Sequence, residues 1–487
     1  MTLDDPVRAG TTTSPTTASP TTASPTTPTV TPGLAARLGA FAAGLDDADV
    51  PEEVLERARH LILDAVGLAF ASTSYLFPTV AHTALADLGA GDHPVLGMSA
   101  RLAPRDAAVL NGVLIHGMDF DDTHIPAVTH VSASALPAAL CAATTAGRTT
   151  RELLVGYVLG VEVAARVGLG GAGGFHDVGF HPTGVAGAFG AAVAAGRLRG
   201  LDAAGITTAQ GVVGSMSAGL LEFLEDGAWT KRLHPGWAAM SGVTAAAFAS
   251  AGWTGPGAVY EGRFGLYRTH LQDREARPEL VDDDLGTRWE LLRTAVKPYP
   301  VCHFIHAFAD AALLLRREHG LGAADVTRVR AAIHPVPGKV VCQPAENKWT
   351  PRDEYDAKFS LPFVVAAALA RGRFTLAELA DDALGDREIL DLARKVEVVD
   401  DAEGRFPDAY SGYVEIELAD GRRLTHREQV NRGHEERPLT NDEIAAKFTD
   451  TIGRAADRAT ADRVRAAVLG LGDARPAREF AEACRGS

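Results

Sequence analysis

Cysteine is scarce in these 487 residues: Cys141, Cys302, Cys342 and Cys484 are the whole complement. None forms a CxxC pair or a zinc-type spacing with a nearby histidine, which excludes a disulfide framework, a structural zinc and the clustered thiolates of an iron–sulfur centre. Basic residues fall short of acidic ones, 47 Lys plus Arg against 62 Asp plus Glu, for a formal charge of -15. Neutralising a phosphate backbone needs a basic surface, so general nucleic-acid binding is excluded as well. Strongly apolar runs are also missing. Ala238–Trp253, among the longest, is built largely of Ala, Gly, Ser and Thr and falls short of the roughly 20 strongly apolar residues of a membrane span. No repeat period is visible, which removes solenoids.

What is present is a composition of 46% hydrophobic and 22% charged residues, enough to bury one large core or two across two or three domains. Residues 1–32 are set apart by repeated TTASP units with almost nothing to bury, and they read as a disordered Thr/Ser/Pro leader. The leader has neither the apolar h-region of a secretory signal nor the arginines of a transit peptide, so the expected location is the cytoplasm. From Gly33 to Leu292 the spacing is helical, as in Val54, Leu55, Ala58, Leu61, Ile62 and Val66. Residues 293–430 change character: Val326, Val329 and Ile333 and then Val396–Val399 are β-branched runs. Val414, Ile416 and Leu418 alternate with Glu415 and Glu417 before an Asp420-Gly421 turn. Residues 431–487 return to helix, opened by Thr440 with Glu443 three positions on. The expected fold is mostly α with an α+β part: a discontinuous helical domain, 33–292 and 431–487, interrupted by a smaller α/β lid, 293–430.

The densest polar cluster is NGVLIHGMDFDDTHIPAVTH, Asn111 to His130. If Asp106–Thr123 is helical, Val109, Val113, His116, Asp119 and Thr123 fall near one face, and Pro126 ends the helix. Ser132 then caps the next helix, which leaves His130 in the turn. His and Asp gathered at helix ends suit acid/base chemistry. Two other readings stay open: carboxylates that cap and solvate with His116 as a core histidine, and a divalent-ion site, although no HExxH or EF-hand spacing occurs. A second pattern recurs in which a cation or imidazole stands just before a proline that opens a helix: His181 before Pro182; Lys231, Arg232 and His234 before Pro235; Lys297 before Pro300. Free N–H groups and the helix dipole attract anions there. Converging, these ends would make a cationic pocket for a di- or tricarboxylate; singly, each is ordinary capping. His303 and His306 flank an apolar stripe of Val301, Phe304, Ile305, Phe308 and Ala309. The glycines of Gly168–Gly174 follow no convincing strand, so a dinucleotide site is not expected.

In order, HGMDFDDTHIPAVTH (116–130), GFHPTGVAGAFGAA (179–192), WTKRLHPGWAAMSG (229–242), KPYPVCHFIHAFADA (297–311) and AKFSLPFVVAAAL (357–369) resemble the MmgE/PrpD family from Gly33 to Phe480. That family includes 2-methylcitrate dehydratases, cis-aconitate decarboxylases and an iminodisuccinate epimerase. The resemblance implies a homodimer and a site between the two domains that uses no metal or other cofactor. Its catalytic pattern falls on Asp119, Thr123, His130, His181, Lys231 and Lys297. Lys231 and Lys297 would hold the charge that builds on a carboxylate, with Arg232 as a helper. His130 would move the proton with Asp119 orienting or sharing it, and Thr123 and His181 would bind carboxylate or hydroxyl groups. There are two departures. Phe363 stands where the decarboxylases carry a functional tyrosine, and His130 lies one residue farther from Asp119 than in the decarboxylase pattern. The implied activity is a dehydratase-type lyase on a hydroxylated, 2-methylcitrate-like di- or tricarboxylate, with decarboxylation or epimerisation as the alternative. A magnesium-dependent helical cyclase and a non-catalytic dimeric scaffold are the distant ones.

Overall fold

The computed structural model describes residues 32–406 and 408–486. The leader expected over 1–32 therefore lies, apart from Pro32, outside the described residues. Hydrophobic side chains sort into two cores. The first collects residues from Leu34 to Val296 and returns for Leu439 to Cys484; the second collects Tyr299 to Leu418 and also takes in Leu68, Ala71, Met118 and Phe120. The fold is mostly helical with one small mixed sheet, as the residue patterning implies.

The first core is organised around the helix Pro182–Leu198, whose sequence PTGVAGAFGAAVAAGRL keeps nearly every side chain small. Small side chains let neighbouring helices approach closely on several sides, and Thr150–Gly170, Ser132–Thr145 and Thr230–Ser250 all pack against it. One contact bears on the site. A Cβ on Gly236 would come within 2.2 Å of the Val109 carbonyl, and one on Gly112 within 2.4 Å of the Gly236 Cα. Only paired glycines let Pro104–His116 and Thr230–Ser250 touch there, and that touch brings the first turn of the second helix against the loop leaving the first. The helix Asn441–Ile452, the first of the closing segment, lies on Glu52–Ser72. Its Thr440–Glu443 capping box is formed, with each residue bonding the other's backbone N–H. Thr150–Gly170 is long and apolar enough to cross a membrane by length and composition, longer than the runs singled out above. It is wholly buried in this core, where Arg166 pairs with Glu162 at 3.2 Å.

The second core lies under a four-stranded sheet. Val396–Asp400 runs parallel to Val326–Ile333, which pairs antiparallel with Gly412–Leu418, which in turn pairs antiparallel with Arg423–Glu428. The alternation read at Val414, Ile416 and Leu418 is real: those positions are buried and Glu415 and Glu417 are not. The hairpin turns at Gly421, φ 84°. The helix His306–His319 packs against Gly412–Leu418 and Arg423–Glu428 and against Leu361–Arg371.

Candidate active site

The helix that carries the Asp-rich motif ends earlier than its spacing implies. It spans Pro104–His116, not Asp106–Thr123, so Asp119 and Thr123 do not share its face. Asp119 has a positive φ of 53°, and Thr123–His124 pairs as a short strand with Thr294–Ala295. The physical reason is the fate of the backbone carbonyls. Four consecutive ones leave the helical ladder, and each accepts a hydrogen bond from a buried or largely buried cation: Gly117 from Arg232 Nε at 2.8 Å, Met118 from Lys358 Nζ at 2.6 Å, Asp119 from Lys297 Nζ at 2.7 Å and Phe120 from Lys447 Nζ at 2.8 Å. Charge-assisted bonds of this kind are about twice as strong as neutral ones. Together they replace the helical bonds and hold the strained residue. Met118 and Phe120 enter the second core, which leaves the Asp119 side chain between them at the wall of a cavity.

That cavity, about 140 Å³, is lined by Asp119, Thr123, His130, His181, Lys231 and Lys297 together with Cys302, His303, Phe359 and Tyr410. Residues spread over 179 positions of sequence, from Asp119 to Lys297, thus meet at one place. Lys231 Nζ donates to Asp119 Oδ1 at 2.9 Å and Lys297 Nζ to the same oxygen at 3.1 Å. Burial alone would raise the Asp119 carboxyl; the two lysines, helped by His130 and His116, more than reverse this and hold it well below the usual range. Two ammonium groups share one carboxylate at the wall of the cavity.

Asp119 does not orient His130 as the sequence suggested: its nearest oxygen is 3.9 Å from His130 Nε2. Asp121 takes that place. It lies 3.3 Å from His130 Nδ1 and 2.9 Å from His116 Nδ1, so one carboxylate spans two imidazoles. A proton held on His130 Nδ1 leaves Nε2 as the lone pair on the side of the lysines. Burial pushes His130 down to about 4, against the pull of Asp121, so the ring is neutral near pH 7 and able to accept a proton. Thr123 Oγ1 lies 3.4 Å from His130 Nδ1, and the His130 N–H donates to Thr183 Oγ1 at 3.0 Å. The ligand atoms of His116, Asp121 and His130 lie within 4.8 Å of one another, close enough to hold an ion.

Other expectations are corrected. Ser132 begins the helix Ser132–Thr145 and does not cap it; its N–H donates to Asp122 Oδ1 at 3.1 Å and its hydroxyl bonds Asp122 and Tyr157. The proline-opened pattern holds only at His181, the N-cap residue of Pro182–Leu198. Lys231 and Arg232 lie inside the first turn of Thr230–Ser250, where Pro235 is an internal residue, and no helix begins at Pro300, the next helical turn starting at His303. Arg232 is not a cavity residue: its guanidinium sits 4.5 Å above the Phe77 ring while it holds Gly117. Phe363 is fully buried in the second core and does not reach the cavity, because its helix, Leu361–Arg371, turns it inward. From the same segment Phe359 lines the cavity, and the phenol in the wall is Tyr410. Residue patterning offered no signal for Tyr410 or Lys447; Lys358 stood within the AKFSLPF segment, unread.

Lys358 offers a test of the carbonyl clamp. It is fully buried and forms an ion pair with Glu354 at 2.6 Å. Lys358→Met is expected to destabilise the protein by roughly 3 kcal/mol, the low end for breaking a buried pair because Glu354 keeps some solvent. Urea unfolding measures this, and a loss under about 1 kcal/mol would mean that the clamp does not hold the loop.

The MmgE/PrpD N-terminal domain matches residues 36–279 and the MmgE/PrpD C-terminal domain matches residues 299–473. A cis-aconitate decarboxylase of Aspergillus terreus is 28% identical over 471 residues, covering 90% of this chain and 93% of its own. The cis-aconitate decarboxylase of Homo sapiens is 29% identical over 423 residues, 83% of this chain and 85% of its own, and that of Mus musculus is 27% identical over 456 residues, 88% and 89%. With both domain matches falling in order along one chain, this protein belongs to the MmgE/PrpD family.

Proposed function

We propose that the protein is a lyase acting on a small di- or tricarboxylate, with decarboxylation of an unsaturated substrate of the cis-aconitate kind as its leading activity. The observation that carries this reading is the pair of ammonium groups, Lys231 and Lys297, on the single carboxylate of Asp119 beside the neutral imidazole of His130. A polycarboxylate would bind against the two ammonium groups. When the carbon–carbon bond to the departing carboxylate breaks, its electron pair moves onto carbon, and the lysines stabilise the negative charge that builds on the remaining carboxylate. That carbon takes up a hydrogen ion from solvent, delivered through a cavity imidazole that gains one proton as it gives one up, and carbon dioxide leaves. The decarboxylase names of the relatives favour this outcome over the dehydration that the family resemblance implied.

Dehydration of a hydroxylated, 2-methylcitrate-like acid is the second reading, favoured by the presence of several imidazoles on one cavity, His130 and His181 among them. One can take a proton from carbon while another protonates the departing hydroxyl. Proton NMR of the EDTA-treated protein in D2O with cis-aconitate, 2-methylcitrate, citrate and iminodisuccinate separates the outcomes. Loss of carbon dioxide from cis-aconitate with one deuterium added to carbon is expected, at the rate seen before EDTA. Vinyl product from 2-methylcitrate would move the assignment to dehydration, and α-deuteration of iminodisuccinate alone would move it to epimerisation. Loss of activity on chelation, restored by a divalent ion, would instead place a metal on His116, Asp121 and His130.

A further inference from the structure

His181 and His234 are joined by a hydrogen bond that runs between their two Nδ1 atoms, 3.1 Å apart. A neutral imidazole carries one proton, on one nitrogen only. One ring therefore donates from Nδ1, and the other accepts there while keeping its own proton on Nε2. The two arrangements differ at the far ends of the pair. When His181 donates, its Nε2 is a bare lone pair; when His234 donates, His181 Nε2 carries a proton. Going from one arrangement to the other takes three linked moves: a proton arrives at one Nε2, the shared proton crosses to the other ring, and a proton leaves the far Nε2.

The two ends lie in different surroundings. His181 is 4% exposed and lines the cavity with His130, whereas His234 is not part of the cavity lining and is partly exposed, in the second turn of Thr230–Ser250. Backbone closes on the pair: a Cβ on Gly219 would lie 3.2 Å from the His234 ring, and one on Gly184 would lie 3.3 Å from the His234 Cβ. His116, His130 and Lys231 are the titratable groups around His181, and His116 and Lys231 those around His234. Burial, joined by these groups, holds His181 well below its ordinary value and His234 at about 4, so both rings are neutral near pH 7 in the empty site. A bound polyanion would offset the same cations and make protonation easier.

The chemistry needs such a connection in one direction only. Decarboxylation consumes a proton at every turnover, because the carbon that loses its carboxylate keeps the electron pair and takes up a hydrogen ion. Dehydration returns to the leaving hydroxyl what it removes from carbon. We propose that the His181–His234 pair is the proton port of the site, passing a hydrogen ion from solvent at His234 Nε2 through the shared Nδ1–Nδ1 bond to His181 Nε2 and on to the substrate carbon. The inward direction rests on the decarboxylase reading above. The paired tautomers do not.

His234 acts through His181 and touches no substrate, so its test needs a readout that a merely structural role would not move. Turnover of cis-aconitate by the full chain and by His234→Ala is followed in dilute bulky buffer and with added imidazole. In dilute buffer kcat is expected to fall by roughly 10²-fold, the low end for a positioned proton donor, with KM unchanged, and imidazole is expected to restore it. An unchanged kcat, or a loss that imidazole leaves in place, overturns the port. Histidine-selective ¹⁵N NMR decides the pair without turnover: a downfield proton shared by two Nδ1 atoms is expected in the parent and lost in His234→Ala. Its absence from the parent overturns the proposal. Its presence in a protein that decarboxylates nothing shows that the assigned reaction, and not the pair, has failed.

Discussion

Replacing Lys297 by methionine is expected to lower kcat/KM on the protein's carboxylate substrate by about 10²–10³-fold, the range for losing one preorganised donor at a developing negative charge. Lys297 is 3% exposed and makes two contacts to one residue, the Asp119 carbonyl at 2.7 Å and its Oδ1 at 3.1 Å. The variant removes the charge nearest the loop while Lys231 still neutralises Asp119 at 2.9 Å. The folded state should therefore survive, with a loss below the roughly 3–5 kcal/mol of a fully orphaned buried charge. Lys231→Met should lower kcat/KM by a similar factor, and the double variant should be destabilised by more than the two single losses, because Asp119 then has no cation. Asp119→Asn in that background should recover part of the stability and none of the activity. Steady-state kinetics and urea unfolding on the same four proteins read both quantities. A Lys297→Met enzyme within tenfold of the parent would mean that this ammonium does not contact the transition state.

Stability is expected to fall steeply as the pH is lowered from 6.5 towards 4. Five buried or partly buried imidazoles share the cause: burial lowers His130 and His234 to about 4 and His306 to about 3, and moves His181 and His303 well down. In the unfolded chain each takes a proton near 6.5, whereas in the folded protein it does so only at the lower value. Between the two values the unfolded state binds more protons, so stability decreases as pH falls, by about 1.4 kcal/mol per group for each pH unit inside its window. Above 6.5 both states are neutral and the effect disappears. Asp119 and Asp121, held well below the usual carboxylate range, add to the loss below about 3.8, where the unfolded carboxyls protonate first. The urea midpoint measured at pH 7.5, 6.5, 5.5 and 4.5 should fall over the last two intervals, where the five rings outnumber Asp122 and Glu162, whose carboxyls burial raises to about 7 and which act in the opposite direction. A midpoint constant down to pH 4.5 would mean that these rings are not held neutral.

Several features depend only on neighbours in the chain and are legible without a structure. The strand at Val414, Ile416 and Leu418 follows from period-two alternation. The helix opened by Thr440 and Glu443 follows from reciprocal capping, and the helix opened by Pro182 from a fixed φ and an N–H that is not needed. The residue types needed for acid/base chemistry stand in the quoted motifs, and the structure gathers six of them, Asp119, Thr123, His130, His181, Lys231 and Lys297, at one cavity. What only the tertiary structure decides is which group serves which. Asp119 and Asp121 are two positions apart in a motif that reads the same for both, yet one meets two lysines and the other two histidines. The helix ends at His116 because cations from four distant segments take the carbonyls of Gly117 to Phe120, a competition that no local propensity records. Phe359 stands just before the helix cap Ser360 and Phe363 just inside the helix, and that difference sends Phe363 into the core and leaves Phe359 at the cavity. Local bonding sets the elements; long-range charge pairing and the direction of each side chain from a packed backbone set the site.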